Sequence, residues 1–231
     1  MHLELVELLR CPVSHAPGVL VASADTIANR YVTDGLLGCS VCYAEYAIRS
    51  GVTHFVPGAS ERDLLESPVN LTRGEQTGED SVDAMRLAAQ LGLRAGRGVF
   101  ALVGYDITTM IAMREIVAAR VLMLNPMPLG DAACSTEQLQ NASLVAPVGV
   151  ATCGAVLPLV PAKFDGIAVQ AAHASPGTVE QAATALRSGG RLVVDARATL
   201  PGGVRELVRD KHVWVAERES VPSAPIAILR R

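Results

Sequence analysis

The sequence is poor in aromatic residues, and its basic residues are almost all arginine. Aromatic side chains make up 3% of the 231 residues, and Lys163 and Lys211 are the only lysines. A core with so few rings must be built from Val, Leu, Ile and Ala, which is typical of parallel strands buried on both faces. The arginines are scattered, so the linear sequence has no basic cluster of the kind that neutralises nucleic-acid phosphates. We therefore expect no DNA ligand.

Long apolar runs and an export signal are also lacking. No apolar stretch approaches the roughly 20 residues that span a bilayer, and the first residues lack the basic region and apolar core of a signal peptide. We therefore expect a cytoplasmic protein without a membrane partner. Five cysteines, an odd number, then favour thiols or metal ligands over a disulfide framework. Disorder is excluded, because 50% of the residues are apolar and 19% are charged.

Composition divides the chain into three regions. Residues 1–56 hold three of the five cysteines and three of the four tyrosines. Residues 57–80 are rich in Gly, Ser, Thr and charge, which predicts a linker or an irregular surface segment. Residues 81–231 alternate between helix-like and strand-like segments, and this alternation predicts a parallel sheet covered on both faces.

Several elements of the third region are predicted individually. Apolar runs predict strands at 99–103, 121–124, 148–152, 164–170 and 191–195. Helices are expected from Ser81 to about Leu93, from a cap at Thr108 or Thr109 to about Ala119, over Thr136–Gln140, over Gly177–Arg187 ended by Gly189-Gly190, and over Gly203–Arg209. Val213–Ala216 and Pro225–Leu229 are close enough to form a hairpin at the sheet edge.

Four residues near the N-terminus are candidate metal ligands. Cys39-Ser-Val-Cys42 is a Cys-x-x-Cys pair that can present two thiolates to one tetrahedral zinc ion. Cys11 begins a second knuckle in which Ser14 stands where another cysteine is needed, and His15 is the nearest substitute ligand. Two alternatives stay open: a zinc site made of these four residues, or a metal-free or partly occupied ribbon held together by its apolar core.

The same region resembles a known family. Leu-Leu-Arg-Cys11-Pro, Leu-Gly-Cys39-Ser-Val-Cys42 and Tyr46-Ala-Ile-Arg-Ser-Gly51-Val are similar in order and spacing to the zinc-ribbon proteins that activate tRNA and protein methyltransferases. The resemblance covers about 56 residues, and it departs from the family at Ser14, Ala47 and Thr53. It implies a small α+β module that supports a methyltransferase and has no catalytic role of its own.

Residues 81–231 resemble the class I S-adenosylmethionine-dependent methyltransferases. The similarity is carried by Leu157-Pro, by the Phe164-Asp strand and by Leu-Arg-Ser-Gly189-Gly190 leading into the next strand. It implies a Rossmann-like α/β fold with a mostly parallel sheet and an antiparallel edge strand. Together, the two resemblances imply a zinc-ribbon-like domain followed by a methyltransferase-like domain.

The resemblance also implies where S-adenosylmethionine would bind. The carboxyl ends of the strands carry the ligand in such folds, and the residues at those positions are Gly104, Tyr105, Asn125, Thr152 and Gln170. They depart from the family, which has more glycines after the first strand and an acid after the second. We expect Asp106 to act as a helix cap. His173 is either a general base or a surface or capping residue.

Two functions follow from these patterns. One is an S-adenosylmethionine-dependent methyltransferase with its activating ribbon fused in the same chain. The alternative is a non-catalytic methyltransferase homologue that acts as a binding or regulatory partner. The family analogy implies a translation-related protein or RNA, or another methyltransferase, as the partner. No Ser/His/Asp order or phosphate-binding glycine loop is present, and Cys134 has no neighbouring base that would activate it.

Overall fold

The strands of the structure form one mixed sheet. The computed structural model describes residues 1–55, 80–93, 98–116, 118–126 and 136–220. Within them the strand order is β1-β2-β3-β4-β7-β6-β5-β8-β9-β11-β10. The strands are Leu20–Ala28 (β1), Tyr31–Cys39 (β2), Glu45–Arg49 (β3), Val52–Phe55 (β4), Val99–Val103 (β5), Arg120–Leu124 (β6), Val148–Cys153 (β7), Phe164–Val169 (β8), Leu186–Asp195 (β9), Val204–Arg209 (β10) and Val213–Arg218 (β11).

The described helices are short. They are Asp80–Gln90 (α1), Ile107–Ile116 (α2), Thr136–Val145 (α3) and Pro176–Ala185 (α4), with 3-10 helices at Leu3–Leu8 and Ala171–His173. None of the helices in the described residues combines the length and the apolar character needed to cross a membrane. The predicted linker, residues 57–80, lies almost wholly outside the described residues, as do Cys134 and Pro225–Leu229.

The centre of the sheet is parallel, as the strand–helix alternation predicts. Strands β7, β6, β5, β8 and β9 run in the same direction, and the sequential order reverses between β5 and β8. Alternate residues of β5 belong to different core clusters, Ala101 and Val103 to one and Phe100 and Leu102 to the other. Both faces are therefore buried, which explains why the strands appear in the sequence as continuous apolar runs.

One helix prediction near the C-terminus is wrong, and a second helix, which does form, ends earlier than predicted. Gly203–Arg209 is not helical, because Val204–Arg209 pairs with β11 along its length, and that pairing outweighs local helix propensity. The hairpin therefore joins β10 to β11, with β11 antiparallel to β9. Helix α4 ends at Ala185, so Gly189-Gly190 does not end it.

Gly189-Gly190 instead forms an irregularity inside β9. Phe164 of β8 pairs with Leu186, whereas Gly166 pairs with Arg191, so β9 has extra residues between these two pairs. A Cβ at Gly190 would come within 2.9 Å of the Phe164 carbonyl oxygen. The glycine is therefore needed where the backbones of β8 and β9 approach closely.

The cap of α2 is Asp106. Its carboxylate accepts hydrogen bonds from the Thr109 N–H at 2.7 Å and from the hydroxyls of Thr108 and Thr109. The capping role of Asp106 is confirmed. Thr108 and Thr109 lie inside the first turn and donate to the cap instead of providing it.

The N-terminal strands extend the same sheet. Strands β1 to β4 form an antiparallel meander, and β4 then pairs in parallel with β7, with Val52 opposite Val150 and Phe55 opposite Cys153. Met1 and Leu5 pack over Gly149, where an added Cβ would come within 2.8–2.9 Å of their side chains. Residues 1–55, which we call the N-terminal lobe, therefore share a hydrophobic core with the α/β part.

Candidate functional site

The four predicted metal ligands lie together at one end of the N-terminal lobe. Cys11 follows the first 3-10 helix, His15 lies in the next loop, Cys39 ends β2 and Cys42 lies in the turn to β3. Their ligand atoms all lie within 4.8 Å of one another. Ser14, which stands where a second cysteine of the first knuckle would be needed, is exposed. The structure thus brings the predicted ligand set together with His15 in the fourth position.

The separations within this cluster suit a tetrahedral zinc ion. The Sγ atoms of Cys11 and Cys42 are 3.7 Å apart, and His15 Nε2 lies 3.3 Å from the Cys39 Sγ. Tetrahedral coordination at ~2.3 Å to sulfur and ~2.0 Å to nitrogen requires S···S and S···N distances of ~3.8 and ~3.5 Å. Three thiolates and one imidazole are also an established structural zinc set. The residues therefore fit the metal.

Neighbouring groups orient two of the ligands. His15 Nδ1 lies 2.5 Å from the Ala16 carbonyl oxygen, and since a carbonyl only accepts, Nδ1 carries the proton. The Nε2 lone pair is then left to face the thiols, as in metal-bound histidines. The Val41 N–H lies 3.4 Å from the Cys39 Sγ and donates to it.

Hydrogen bonds favour the thiolate form of Cys39. Burial opposes ionisation of Cys39, but backbone N–H groups of Cys42 and Val41 lower the pKa of its thiol to about 6. The Tyr46 hydroxyl lies 2.9 Å from the Cys11 Sγ. A deprotonated sulfur can only accept, so the hydroxyl donates when Cys11 is a thiolate.

The residues predicted to hold S-adenosylmethionine share the carboxyl edge of the parallel strands. Backbone hydrogen bonds tie this edge together, from Gly104 to Leu124, from Asn125 to Ala151 and from Gln170 to Val103, at 2.8–3.0 Å. Thr152 lies near the end of β7. The edge lies where the strand order reverses, which is the usual ligand position of such sheets.

The backbone of Gly104 is covered by a side chain of the protein. Gly104 has a φ of +78°, and a Cβ at this position would come within 2.2 Å of His173 Cδ2 and 2.9 Å of His173 Nε2. His173 therefore occupies the space that a glycine after the first strand would leave to a cofactor. Burial lowers the pKa of His173, and its Nε2 is buried with no hydrogen-bond partner among the described residues.

The Asn125 side chain forms its hydrogen bonds within the sheet. Its Oδ1 accepts the Cys153 N–H at 2.7 Å, and its Nδ2 points to the Cys153 Sγ at 3.6 Å. Burial raises the pKa of the Cys153 thiol to about 12, so this thiol is neutral near pH 7. The Asn125 amide, predicted to lie at the S-adenosylmethionine position, thus links the ends of β6 and β7.

The Thr152 side chain is used in the same way. Its hydroxyl bonds to His54 Nδ1 of β4 at 3.0 Å. Burial, followed by the nearby Arg49, lowers the pKa of His54. The hydroxyl of Thr152, a residue predicted to lie at the S-adenosylmethionine position, is thereby bound to the N-terminal lobe.

Tyr105 and Gln170 border a small cleft beside the edge. Asp106 and Thr109 of the α2 cap and His212 of the β10–β11 turn also line this space, whose volume is about 260 Å³. Burial raises the pKa of the Tyr105 hydroxyl, which keeps it protonated. The volume is below the range of roughly 300–1,000 Å³ that is typical of small-molecule sites.

These contacts show how well the carboxyl edge of the sheet fits S-adenosylmethionine, the cofactor that the sequence resemblance implies. Gly104 is covered, and the polar groups of Asn125 and Thr152 are used by the protein itself. These three residues do not fit the role of open cofactor contacts.

Two residues that contact predicted site residues, Tyr46 and His54, were not themselves predicted from the sequence. The partner of His54 lies 98 residues away and that of Tyr46 lies 35 residues away. A local signal exists only for His54, a polar residue that alternates with buried Thr53 and Phe55 in β4. Sequence spacing alone could not pair either residue with its contact.

Comparison with known proteins yields structural likeness only. Neither a protein-family model nor a curated protein matches the sequence. Solved structures that resemble the chain include a protein of Methanococcus maripaludis assigned to the S-adenosyl-L-methionine-dependent methyltransferases, with 10% identity over 66% of this chain and 98% of that one and a TM-score of 0.46. TrmN of Thermus thermophilus has 19% identity over 63% and 50% of the two chains, with a TM-score of 0.45.

Geranyl diphosphate C-methyltransferase of Streptomyces coelicolor also resembles the chain. Its identity is 15% over 49% of this chain and 42% of that one, with a TM-score of 0.42. The matched part is thus less than half of that enzyme. At these identities and TM-scores, the likeness concerns the mixed α/β sheet alone.

Proposed function

We propose that this chain is a zinc-binding, non-catalytic homologue of the class I methyltransferases that works as a binding partner. The proposal rests on one observation: residues at the carboxyl edge are already engaged in contacts within the protein. His173 lies on Gly104, Asn125 holds the Cys153 backbone, and Thr152 is bonded to His54. A cofactor would have to displace several of these contacts before it could bind.

Titration with S-adenosylhomocysteine and S-adenosylmethionine tests the non-catalytic part. We expect isothermal calorimetry of the folded, metal-loaded protein to detect no binding at millimolar ligand. A micromolar Kd for either ligand, lost in Asn125→Ala, would overturn the proposal and establish a working cofactor site. Thermal melting of each variant provides the control that it is folded.

The zinc part of the proposal rests on the cluster of Cys11, His15, Cys39 and Cys42. We expect one zinc per chain by mass spectrometry of the purified protein. Cys39→Ser should lose the metal, because each of the four ligands is needed for a closed structural site. Cys153→Ser is the matched control, since this cysteine is not part of the cluster, and it should retain zinc. A wild-type protein that takes up no zinc contradicts the proposal.

A catalytic methyltransferase is the second candidate, and one observation favours it. The buried Nε2 of His173 has no hydrogen-bond partner in the described residues, although it lies at the usual ligand edge. An orphaned nitrogen of this kind suits the donor of a bound ligand. The calorimetric titration described above decides between the two candidates.

We propose a protein, of the methyltransferase class that the family resemblance implies, as the partner. The charge arrangement favours a protein over RNA, because six arginines of the described residues are paired with carboxylates, and Arg49, Arg191 and Arg218 donate to backbone carbonyls. These pairs are Arg30–Glu4, Arg120–Glu7, Arg187–Asp165, Arg197–Asp195, Arg205–Glu217 and Arg209–Glu206. In a filter-binding assay at 50 mM salt, we expect no submicromolar affinity for tRNA; tight binding that falls steeply with salt would contradict a protein partner.

A further inference from the structure

Tyr46 lies between the cluster of candidate metal ligands and the central, parallel part of the sheet. It belongs to β3, pairs with Leu37 of β2 and is fully buried. Its hydroxyl lies 2.9 Å from the Cys11 Sγ. Cys11 itself lies in a loop that follows a 3-10 helix, so its side chain has no β-ladder to orient it.

The ring of Tyr46 continues the contact toward the sheet junction. It packs against Phe55 of β4, with centroids 5.0 Å apart and planes at 46°. Phe55 stands opposite Cys153 in the parallel β4–β7 pair, and the Cys153 N–H is held by Asn125. An unbroken series of contacts thus runs from a metal ligand to the carboxyl edge.

Charge explains why a donor is needed at Cys11. Three thiolates and a neutral imidazole around Zn²⁺ carry a net charge of about −1, and this charge is partly buried. A hydroxyl that donates to one thiolate stabilises the charge and fixes the direction of the sulfur lone pairs, as groups next to metal ligands commonly do.

We propose that Tyr46 is a positioning residue, whose hydroxyl holds Cys11 for the metal and whose ring transmits metal occupancy to the β4–β7 junction. The inference rests on the proposed zinc site. It assigns Tyr46 to the metal centre even though Tyr46 is not a ligand.

Tyr46→Phe tests the hydroxyl, because it removes one oxygen and keeps the ring. We expect competition with a chromophoric chelator to show zinc affinity about 10- to 100-fold weaker than wild type, the usual effect of losing a hydrogen bond to a metal ligand. Tyr31→Phe is the matched control, since Tyr31 is equally buried and donates to the Gly51 carbonyl. It should stay within about threefold of wild type. Equal affinities for the two variants would overturn the proposal.

A spectroscopic readout separates positioning from a general loss of stability. In the cobalt-substituted protein, loss of a donor to a thiolate raises the energy of the sulfur electrons. The sulfur-to-cobalt charge-transfer band should therefore move to lower energy in Tyr46→Phe and stay in place in Tyr31→Phe. An unshifted band in Tyr46→Phe contradicts the hydrogen bond.

Hydrogen exchange of the wild-type protein tests the transmission. Removing zinc with a chelator should speed exchange in residues 52–55 and 148–153 at least severalfold, while the β8–β9 pair stays protected. Unchanged exchange at the junction, or an equal increase at β8–β9, would overturn the transmission. A wild-type protein without zinc would instead refute the proposed function, so the two failures are distinguishable.

Discussion

The imidazole of His173 lies directly against the backbone of Gly104. A Cβ at Gly104 would approach His173 Cδ2 to 2.2 Å, and the φ of Gly104 is +78°. Only glycine combines this backbone conformation with room for the ring. At the carboxyl edge, where the strand order reverses, the space beside Gly104 is thus filled by the His173 side chain.

Gly104→Ala should therefore destabilise the protein. The positive φ costs a non-glycine residue ~1–2 kcal/mol, and the clash with His173 adds to this cost. Urea unfolding should show a lower midpoint, and His173→Ala in the same chain should recover the part that is due to the clash. Gly202→Ala is the control, because nothing lies within 4 Å of its Cβ position. A Gly104→Ala protein as stable as Gly202→Ala would refute the packing.

Asn125→Ala should also destabilise the sheet edge. It leaves the partly buried Cys153 N–H without its acceptor, a loss of ~1–3 kcal/mol. Asn125→Asp retains an oxygen at this position and should lose less. Urea unfolding of both variants measures the difference. Equal stabilities would mean that the 2.7 Å hydrogen bond contributes nothing.

The two threonines of the β4–β7 pair, Thr152 and Thr53, should respond differently to replacement by valine. Thr152→Val removes the hydrogen bond to His54 and should cost ~1 kcal/mol. Thr53 is fully buried, and its hydroxyl has no partner within the described part of the chain. Thr53→Val should therefore be neutral or stabilising. Chemical unfolding gives both values, and a destabilised Thr53→Val would indicate an unseen partner.

Stability should fall in mildly acidic solution. Burial lowers the pKa values of His173 and His54 below their ordinary value of 6.5. The unfolded chain therefore binds more protons than the folded chain just below pH 6.5, so unfolding becomes easier as the pH falls through this window. Urea midpoints at pH 7.5 and 5.5 measure the loss.

His173→Asn provides the matched comparison for this pH effect. The variant should lose less stability than wild type between pH 7.5 and 5.5, because it lacks one of the depressed groups. Between pH 7.5 and 8 the two proteins should have the same slope. If the variant has the wild-type loss below pH 6.5, His173 is not the source of the effect.

Much of the fold is predictable from local patterns. The apolar runs at 99–103 and 121–124 correspond to β5 and β6, and Asp106 caps α2 as expected. These features depend on neighbouring residues, so sequence spacing carries them. The errors concern Gly203–Arg209 and Gly189-Gly190, where pairing with a distant strand outweighs local preference.

The same distinction between local and long-range features holds for the candidate site. The candidate ligands Cys11, His15, Cys39 and Cys42 were predicted from residue type and spacing, because few side chains bind zinc and short knuckles place them on tight turns. The uses of Asn125 and Thr152 were not predictable, since their partners are 28 and 98 residues away. The chemical character of a residue is visible in the sequence, but the contacts that it makes depend on tertiary packing.

Residue type and short-range order were enough to predict the strand–helix alternation, the four candidate metal ligands and the scarcity of glycines after the first strand. The pairing of β4 with β7 and the position of His173 against Gly104 became visible only in the folded chain. The fold also places Tyr46 in contact with both Cys11 and Phe55. Each of these relationships brings together residues that are far apart in the chain, and the shared hydrophobic core holds them in place.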